Sequence, residues 1–349
     1  MNEGRRACVG GLGLGLGLVL AGPQAMAAAQ TLAPPGPVTP VPPVVPASPP
    51  TRCIVPAKAG GGFDLTCQLA RHAWRPALPE LALTYQPGGI GALVYRSLTR
   101  PGGAPHEPAL VAWSSGTLLN LAQGRFGRYE PGLLRWVAAL ALDHGVVAVH
   151  RDAPWRDLPA LLAALQANPP AVSFAAGGTI GSQDWMKAAL LARAAGVSHK
   201  AMRVVAFEGG GDAVQALKGR HVQVLCGDAA ELSRQLGEGL PLRVLAVLSA
   251  HRLSGPLAGV PTAREQGIDL SWPILRGLYA GPLTPASTAA DWGRQLTAHA
   301  AQADTQAAMR ALGLEPLALA GPALAERVEA EIVRWRTLAR EFGLMASPP

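Results

Sequence analysis

Charged side chains are scarce in this sequence and form no block of one sign. Only 15% of the 349 residues are charged, against 49% that are hydrophobic, and just four of the 30 basic residues are lysines. Because non-specific nucleic-acid binding needs a concentrated basic patch that faces the phosphates, the formal charge of +7 does not indicate a nucleic-acid partner. The large hydrophobic fraction predicts a sizeable core, and the length suits about two domains.

Metal-binding and redox motifs are missing from the sequence. The four cysteines form no CxxC pair, and the eight histidines form neither an HxH nor an HExxH pattern. We therefore expect no metal and no cofactor. In an oxidising compartment Cys53, Cys67 and Cys226 allow one disulfide and leave one thiol, and their spacing does not decide which two pair.

The first 27 residues have the pattern of a secretory signal peptide. Arg5 and Arg6 precede an apolar run of 13 residues (9–21), and Ala25-Met26-Ala27 fits a small-x-small cleavage site. The apolar run is shorter than the roughly 20 residues that cross a bilayer. We therefore expect a periplasmic protein that is secreted through the inner membrane and cleaved near Ala27.

Beyond a proline-rich linker at 28–51, short apolar runs alternate with amphipathic segments of helical period. This alternation predicts an α/β protein with parallel sheets. The predicted strands lie at 53–56, 81–86, 109–113, 146–150, 172–175, 203–207, 222–226, 242–248 and 277–280. The predicted helices include 65–74, 185–194, 213–217, 229–236 and a long closing helix at 322–342.

Three glycine-rich loops each follow a predicted strand and precede a predicted helix. They are Lys-Ala-Gly-Gly-Gly-Phe-Asp at 58–64, Gly-Gly-Thr-Ile-Gly-Ser at 177–182 and Phe-Glu-Gly-Gly-Gly-Asp at 207–212, and a fourth loop at 113–117 adds hydroxyls. Glycine lets the backbone approach a ligand, and the first N–H groups of a helix carry partial positive charge. The loops therefore predict an anion site at the carboxyl edge of the sheet. No GxxxxGK[ST] motif accompanies them, which disfavours a phosphate-binding P-loop.

Structural alternatives for the same residues stay open at this point. The glycines also suit tight turns, and Asp64 and Asp212 are expected to cap their helices. Lys58 fits a ligand cation and a solvated side chain equally well. Arg276 suits a carboxylate clamp, although a structural salt bridge is the favoured interpretation.

Four segments together resemble the TctC, or Bug, extracytoplasmic solute receptors. They are residues 58–67, 207–214, 260–267 and 276–282, and the resemblance covers roughly residues 52 to 342. It implies a two-lobed α/β periplasmic binding protein of type II topology, with a ligand cleft between the lobes. It also implies a small organic carboxylate as ligand, the membrane subunits of a tripartite tricarboxylate transporter as partners, and a monomeric receptor.

The resemblance also assigns the ligand site by position, and the form of the first loop favours a citrate-like tri- or dicarboxylate. The residues assigned in this way are Lys58, Gly61, Gly62, Phe63, Ser115, Thr117, Thr179, Ser182, Gly210 and Asp228. Among them, Asp228 suits a carboxylate site only where it faces a hydroxyl or a water. The predicted lobes are 52–147 with 250–349, and 148–249, with hinges near 146–150 and 245–249.

Two alternatives to a transport receptor follow from the same sequence. A receptor that signals to a two-component sensor kinase has the same features. A secreted hydrolase belongs to a different class, but the chain has no G-x-S-x-G elbow, because Ala112 stands where the first glycine belongs. We expect no enzyme and no catalytic residue.

Overall fold

The computed structural model describes residues 49–74, 81–100, 108–127, 129–237 and 239–346. The expected signal peptide and nearly all of the expected linker lie outside these residues. The strands of the described part are β1 (Arg52–Val55), β2 (Ala82–Tyr85), β3 (Leu110–Ser114), β4 (Arg135–His150), β5 (Ser173–Gly177), β6 (Arg203–Phe207), β7 (Val224–Asp228), β8 (Leu242–Leu248), β9 (Pro273–Ala280) and β10 (Glu315–Leu319).

Helices alternate with these strands through most of the described chain. They are α1 (Gly62–Trp74), α2 (Ala92–Thr99), α3 (Ser115–Ala122), α4 (Leu158–Ala167), α5 (Gln183–Ala194), α6 (Gly210–Lys218), α7 (Ala229–Leu236), α8 (Ala286–Ala300), α9 (Ala303–Ala311) and α10 (Gly321–Glu341). The mixed α/β class expected from the sequence is confirmed. Among the described residues, no helix is long and apolar enough to cross a bilayer.

One sixteen-residue strand, β4, holds the sheet together. The sheet runs in the order β2-β1-β3-β9-β4-β7-β5-β6, and β8 and β10 also pair with β4. The first part of β4 pairs with β9 and β10, and its last six residues pair with β7 and β8. The sequence predicts only 146–150 of this strand, because the alanine-rich run before it shows no strand period.

The expectation of parallel sheets is correct for the outer strands and wrong for the centre. β1 runs parallel to β2 and β3, and β5 runs parallel to β6 and β7. By contrast, β4 and β9 are antiparallel to each other and to their other partners. Such central pairings join distant parts of the chain, so local alternation of strands and helices does not show them.

The structure shows how the cysteines pair and where the closing helix packs. Cys53 on β1 and Cys67 on α1 form a disulfide, and Cys226 is a buried free thiol. The pairing that the sequence leaves open is thereby fixed. The predicted helix at 322–342 is confirmed as α10, and its Trp335 packs against Trp272 with ring centroids 4.7 Å apart.

Candidate functional site

Five strand-to-helix junctions meet at one cavity. Strands β1, β3, β5, β6 and β7 lead into α1, α3, α5, α6 and α7, respectively, and residues from every one of these junctions line the cavity. The lining from the ends of strands and the starts of helices includes Gly62, Phe63, Ser114, Gly116, Gly177, Ser182, Gln183, Gly209, Gly210 and Asp228. The three glycine-rich loops therefore converge, as the sequence predicts.

Two helices, α1 and α6, begin with backbone amides that have no acceptor in the described part of the chain. In the described part of the chain, the amides of Gly62 and Phe63 at the start of α1 and of Gly210 and Gly211 at the start of α6 donate no hydrogen bond. First-turn amides lack intrahelical acceptors and carry the positive end of the helix dipole. They are therefore available to an anion in or beside the cavity.

Arg276 on β9 contributes a guanidinium to the same cavity. Its Nε donates to Asp143 Oδ2 at 2.9 Å, and its Nη2 donates to Asp228 Oδ2 at 2.8 Å. Among the described residues, Nη1 donates no hydrogen bond, and a Cβ placed on Gly62 would overlap it. The favoured salt bridge is thus observed, and one guanidinium nitrogen remains next to the loop that follows β1.

The acidic residues Asp184, Asp228 and Glu231 line one part of the cavity, which we call the acidic wall, and the fully buried Lys187 pairs with two of them. Lys187 on α5 places Nζ 2.8 Å from Asp184 Oδ1, 2.8 Å from Asp228 Oδ1 and 2.6 Å from the carbonyl oxygen of Gly227. Burial opposes the charge on Asp228, but Lys187 and Arg276 outweigh it and lower the pKa of that carboxyl. Burial raises the pKa of Asp184 even though Lys187 opposes the shift. Lys187 Nζ thus donates to Asp228 and to Gly227, and it forms an ion pair with Asp184, whose Oδ1 accepts no hydrogen bond in the described part of the chain.

Glu231 is an acidic residue of the cavity lining that has neither an ion pair nor a hydrogen-bond partner among the described residues. It lies in the first turn of α7, is 7% exposed, and lines the cavity. Its Oε1 has no hydrogen-bond partner among the described residues. Burial, together with the carboxylates of Asp228 and Asp184, raises the pKa of Glu231 to about 8. A Cβ on Gly210 would lie 2.5 Å from Glu231 Oε2, so glycine at that position leaves the carboxyl open to the cavity.

Gln183 presents a second acceptor without a partner. Its Nε2 donates to both carboxylate oxygens of Asp228, at 3.1 and 3.0 Å, which fixes the orientation of the amide. Its buried Oε1 accepts no hydrogen bond in the described part of the molecule. A Cβ on Gly116 would lie 3.1 Å from this oxygen. The cavity therefore combines free donors from helix starts with acceptors on Glu231 and Gln183 that have no donor in the described part of the chain.

A family model decides what kind of protein carries this cavity. Residues 129–344, more than half of the chain, match the model described as the tripartite tricarboxylate transporter family receptor. The chain belongs to this receptor family. Its members are solute receptors and not enzymes, in agreement with the missing nucleophile elbow.

Individual relatives agree with this assignment. The receptor is 25% identical over 302 residues to the UPF0065 protein of the tcbD-tcbE intergenic region of a Pseudomonas species, which covers 86% of this chain and 88% of that protein. It shares its fold with the periplasmic binding protein BugD at 23% identity and a TM-score of 0.74, with 85% and 99% of the two chains covered. It also resembles MatC from Rhodopseudomonas palustris with bound malate, at 24% identity and a TM-score of 0.71 over 83% and 98% of the chains. The periplasmic binding fold expected from the sequence is confirmed.

Half of the site residues assigned from the sequence line the cavity of the receptor. They are Gly62, Phe63, Ser182, Gly210 and Asp228. The hydroxyl of Ser182 also accepts from the amide of Trp185 at 3.4 Å and so caps α5. Asp228 faces a glutamine amide, a lysine and an arginine, which explains how its charge is tolerated there.

Lys58 and Gly61 lie in an adjoining groove outside this cavity. The Lys58 side chain is 63% exposed, and its Nζ lies 2.9 Å from Asp212 Oδ2. Asp212 therefore pairs with a lysine, where the sequence predicts a helix cap. Asp64 accepts from the amide of Gly60 at 2.7 Å, just before α1, and thus orders the loop as a cap does.

The structure does not bring the last three assigned residues to the cavity lining. Ser115 Oγ accepts from the amide of Leu275 at 2.9 Å. Thr117 Oγ1 accepts from the amide of Ser114 at 3.3 Å and completes a capping box at the start of α3. Thr179 Oγ1 accepts from Arg125 Nη1 at 2.8 Å. Ser114 and Gly116, which the sequence assignment passes over, line the cavity in their place.

Glu231, Gln183 and Lys187 are functional candidates that sequence reasoning missed. One feature points to Lys187: it is one of only four lysines and stands in the otherwise apolar stretch Trp-Met-Lys-Ala-Ala-Leu-Leu. A charge surrounded by apolar residues is buried only when it is paired. Glu231 has no comparable pattern, because an acidic residue in a first helical turn is ordinary.

Proposed function

We propose that this receptor captures a small organic carboxylate in the cavity and passes it to the membrane subunits of a tripartite transporter. The observation that carries the proposal is the convergence of free donors. The amides of Gly62, Phe63 and Gly210 and the Nη1 of Arg276 belong to three elements that meet at one cavity. Donors of this kind bind a carboxylate, and this binding does not require the ligand to react.

The strength of such a set of donors matches a transport receptor. Hydrogen bonds to a charged group contribute about 1.5 to 3 kcal/mol each, so four give roughly 6 to 12 kcal/mol before the costs of ordering. Micromolar affinity corresponds to about 8 kcal/mol. Because association itself costs several kcal/mol, the four donors supply a large part of this free energy, and burial of the ligand in the cavity has to supply the rest.

The charge of the cavity bears on the number of carboxylates in the ligand. The sequence favours a citrate-like acid, but Asp184, Asp228 and Glu231 all line the cavity, against Arg276 as its cation. Three ligand carboxylates would meet more repulsion from these residues than one or two would. The MatC structure holds malate, and a second R. palustris neighbour, at 20% identity and a TM-score of 0.75, holds adipate. Malate and adipate are both dicarboxylates, so these two neighbours support a ligand with fewer carboxylates than citrate.

Delivery and compartment are part of the same proposal. The family name refers to a tripartite transporter, and the pattern of the first 27 residues is that of a secretory signal peptide. Capture would occur in the periplasm, with the segments 146–150 and 245–249 as hinges between the predicted lobes. These segments lie on the paired strands β4 and β8, with Val146 opposite Val247. Gly62 and Gly210 come from different predicted lobes, so closure would bring both sets of amides onto the ligand.

A thermal-shift screen of mono-, di- and tricarboxylates on the purified mature receptor tests this function. A ligand that binds the folded state raises the melting temperature in a concentration-dependent way. We expect a saturable shift with at least one mono- or dicarboxylate, and a weaker one with citrate. The absence of a shift with every carboxylate would contradict the proposal. Uptake of the identified ligand by vesicles that contain the membrane subunits then tests delivery.

A further inference from the structure

An isoleucine with a strained backbone lines the cavity. Ile90 lies in the loop between β2 and α2, between Gly89 and Gly91, and its side chain is part of the cavity lining. Its φ of 53° and ψ of 49° place it in the left-handed region. Ile90 and Arg220 are the residues other than glycine that have a positive φ in the described part of the chain. For a β-branched residue this conformation is an outlier, and such outliers collect at ligand clamps and switch regions.

The path of this loop does not require an isoleucine. Gly88, Gly89 and Gly91 have φ values of 145°, 58° and 91°, so φ is positive over four consecutive residues. Glycine adopts such values without steric cost, and asparagine adopts them more readily than a β-branched residue does. Ile90 is half-buried and does not pack against the hydrophobic core of the described residues. Its side chain therefore adds little to the core, although its backbone conformation is costly.

The side chain of Ile90 reaches the loop on the facing side of the cavity. A Cβ placed on Gly178 would overlap Cδ1 of Ile90, so this methyl group packs directly on the backbone of Gly178. Gly178 follows β5, and Gly177 and Ser182 of the same loop line the cavity. Ile90 and Gly178 come from different predicted lobes. Their contact closes the cavity between the loop after β2 and the loop after β5.

The Ile90 side chain does not supply a hydrogen bond to a carboxylate, because it has no polar atom. Phe63 and Ile90 are the large apolar side chains of the cavity lining among the described residues. The contact between Ile90 and Gly178 joins two parts of the protein and involves no ligand atom. A solute that passes between these loops has to break the contact on entry and again on exit.

We propose that Ile90 is a gating residue, which controls how fast a solute enters and leaves the cavity. The inference rests on the proposed function, and it concerns the rates of capture and release. The left-handed backbone holds the isoleucine methyl group against Gly178. Strain that is relieved when the loop moves favours opening, so the contact delays a solute without trapping it.

Stopped-flow fluorescence tests the gate with the Ile90→Ala variant, which loses Cδ1 and both γ-carbons. The probes are succinate, malate and adipate, together with any other acid that binds in the thermal-shift screen. We expect the association and dissociation rate constants both to rise by about fivefold or more, because burial of one CH₂ group alone is worth about a factor of four. The Kd from calorimetry should change by less than about threefold, since the two rate constants rise together.

Three further variants separate a gate from a structural residue. Ile90→Val keeps the β-branched shape and loses Cδ1, so its rate constants should lie between those of wild type and Ile90→Ala. Ile90→Asn suits the left-handed backbone and removes the apolar side chain, so it should raise both rate constants without lowering the melting temperature. Val333→Ala is the matched control: Val333 is 59% exposed on α10, and its replacement should leave both rate constants as in wild type.

Each possible failure has its own signature. If only the dissociation rate constant rises in Ile90→Ala and Kd weakens by the same factor, Ile90 is a ligand contact and the gate is wrong. If neither rate constant changes by more than about twofold, or if Ile90→Asn lowers the melting temperature and leaves the rates unchanged, Ile90 is a structural residue and the gate is also wrong. In these cases the carboxylate receptor stands. If no probe binds wild type and the broader carboxylate screen is silent, the proposed function itself fails.

Discussion

The ammonium of Lys58 lies 2.9 Å from Asp212 Oδ2, and this ion pair joins the loop after β1 to the first turn of α6. The two residues are 154 positions apart in sequence. The pair lies in the groove outside the cavity, with both side chains substantially exposed to solvent. Lys58 is therefore an edge contact between two glycine-rich loops, and its charge does not reach the cavity lining.

Replacing Lys58 should consequently have little effect on ligand binding. Exposed ion pairs contribute little, since solvent and salt screen them. We expect Lys58→Ala to change ligand affinity less than about fivefold, as measured by calorimetry. A loss of a hundredfold or more would show that Lys58 itself holds the ligand.

Lys187 should be essential for stability. It is fully buried and pairs with Asp184 and Asp228, so its removal leaves buried Asp184 without a cation and Asp228 with Arg276 alone. Breaking a buried pair in this way costs about 3 to 5 kcal/mol. We expect Lys187→Met to lower the free energy of unfolding by about this amount in urea titrations, whereas the same change at exposed Lys200 leaves it nearly unchanged. Equal stability of the two variants would contradict the role assigned to Lys187.

Glu231 should make the ligand-free receptor less stable as the pH rises. The pKa of Glu231 is about 8 in the folded protein, raised by burial and by Asp228 and Asp184, against the opposing charges of Arg276 and Arg234. The unfolded chain gives up this proton near pH 4.5. The folded state therefore holds one more proton between about pH 4.5 and 8, and its stability falls across that interval.

The Glu231→Gln variant isolates this contribution. Urea titrations from pH 5 to about pH 9.5 should show that wild type loses more unfolding free energy than the variant up to about pH 8, with the difference levelling off above that pH. Parallel curves for the two proteins would mean that Glu231 titrates normally. Glu326→Gln on α10 serves as the control and should follow wild type at every pH.

The free thiol should be unreactive in the folded receptor. Cys226 on β7 is fully buried, and burial raises the pKa of its thiol to about 12. Because the thiolate is the reactive form, we expect no alkylation by iodoacetamide at pH 8 until the protein is unfolded. Mass spectrometry of the unfolded, unreduced mature chain should then show a single modified cysteine. Alkylation of Cys53 or Cys67 without reductant would contradict the disulfide.

How far the sequence predicts this molecule depends on whether a feature is local. The glycine-rich loops are local, and each one lies between a strand and a helix as expected from runs such as 60–62 and 209–211. The antiparallel pairing of β4 with β9 joins residues more than a hundred positions apart, so alternation along the chain does not reveal it. Ser115 and Thr117 show the limit at a helix start, because they are one residue away from Ser114 and Gly116, which line the cavity. Their hydroxyls accept hydrogen bonds from backbone amides of the protein, and the sequence does not show these bonds.

The network of buried ion pairs beside the cavity could not be predicted from the sequence for a related reason. Asp143, Lys187, Asp228 and Arg276 come from four elements, and only the fold brings their charges within hydrogen-bond distance. The sequence does favour a salt bridge for Arg276 over a carboxylate clamp, and the structure shows that salt bridge with Asp143 and Asp228. It does not suggest the missing partner of Glu231, because an unpaired atom is visible only when every neighbour is known.

A calorimetric comparison of two adjacent glycines tests the central claim most directly. A Cβ on Gly62 would overlap the guanidinium of Arg276, which Asp143 and Asp228 hold in place, whereas a Cβ on Gly61 meets nothing within 4 Å. With the carboxylate found in the screen, we predict that Gly62→Ala loses at least about tenfold in affinity, while Gly61→Ala stays within about threefold of wild type. Equal affinities for folded Gly62→Ala and wild type would show that the carboxylate is held elsewhere.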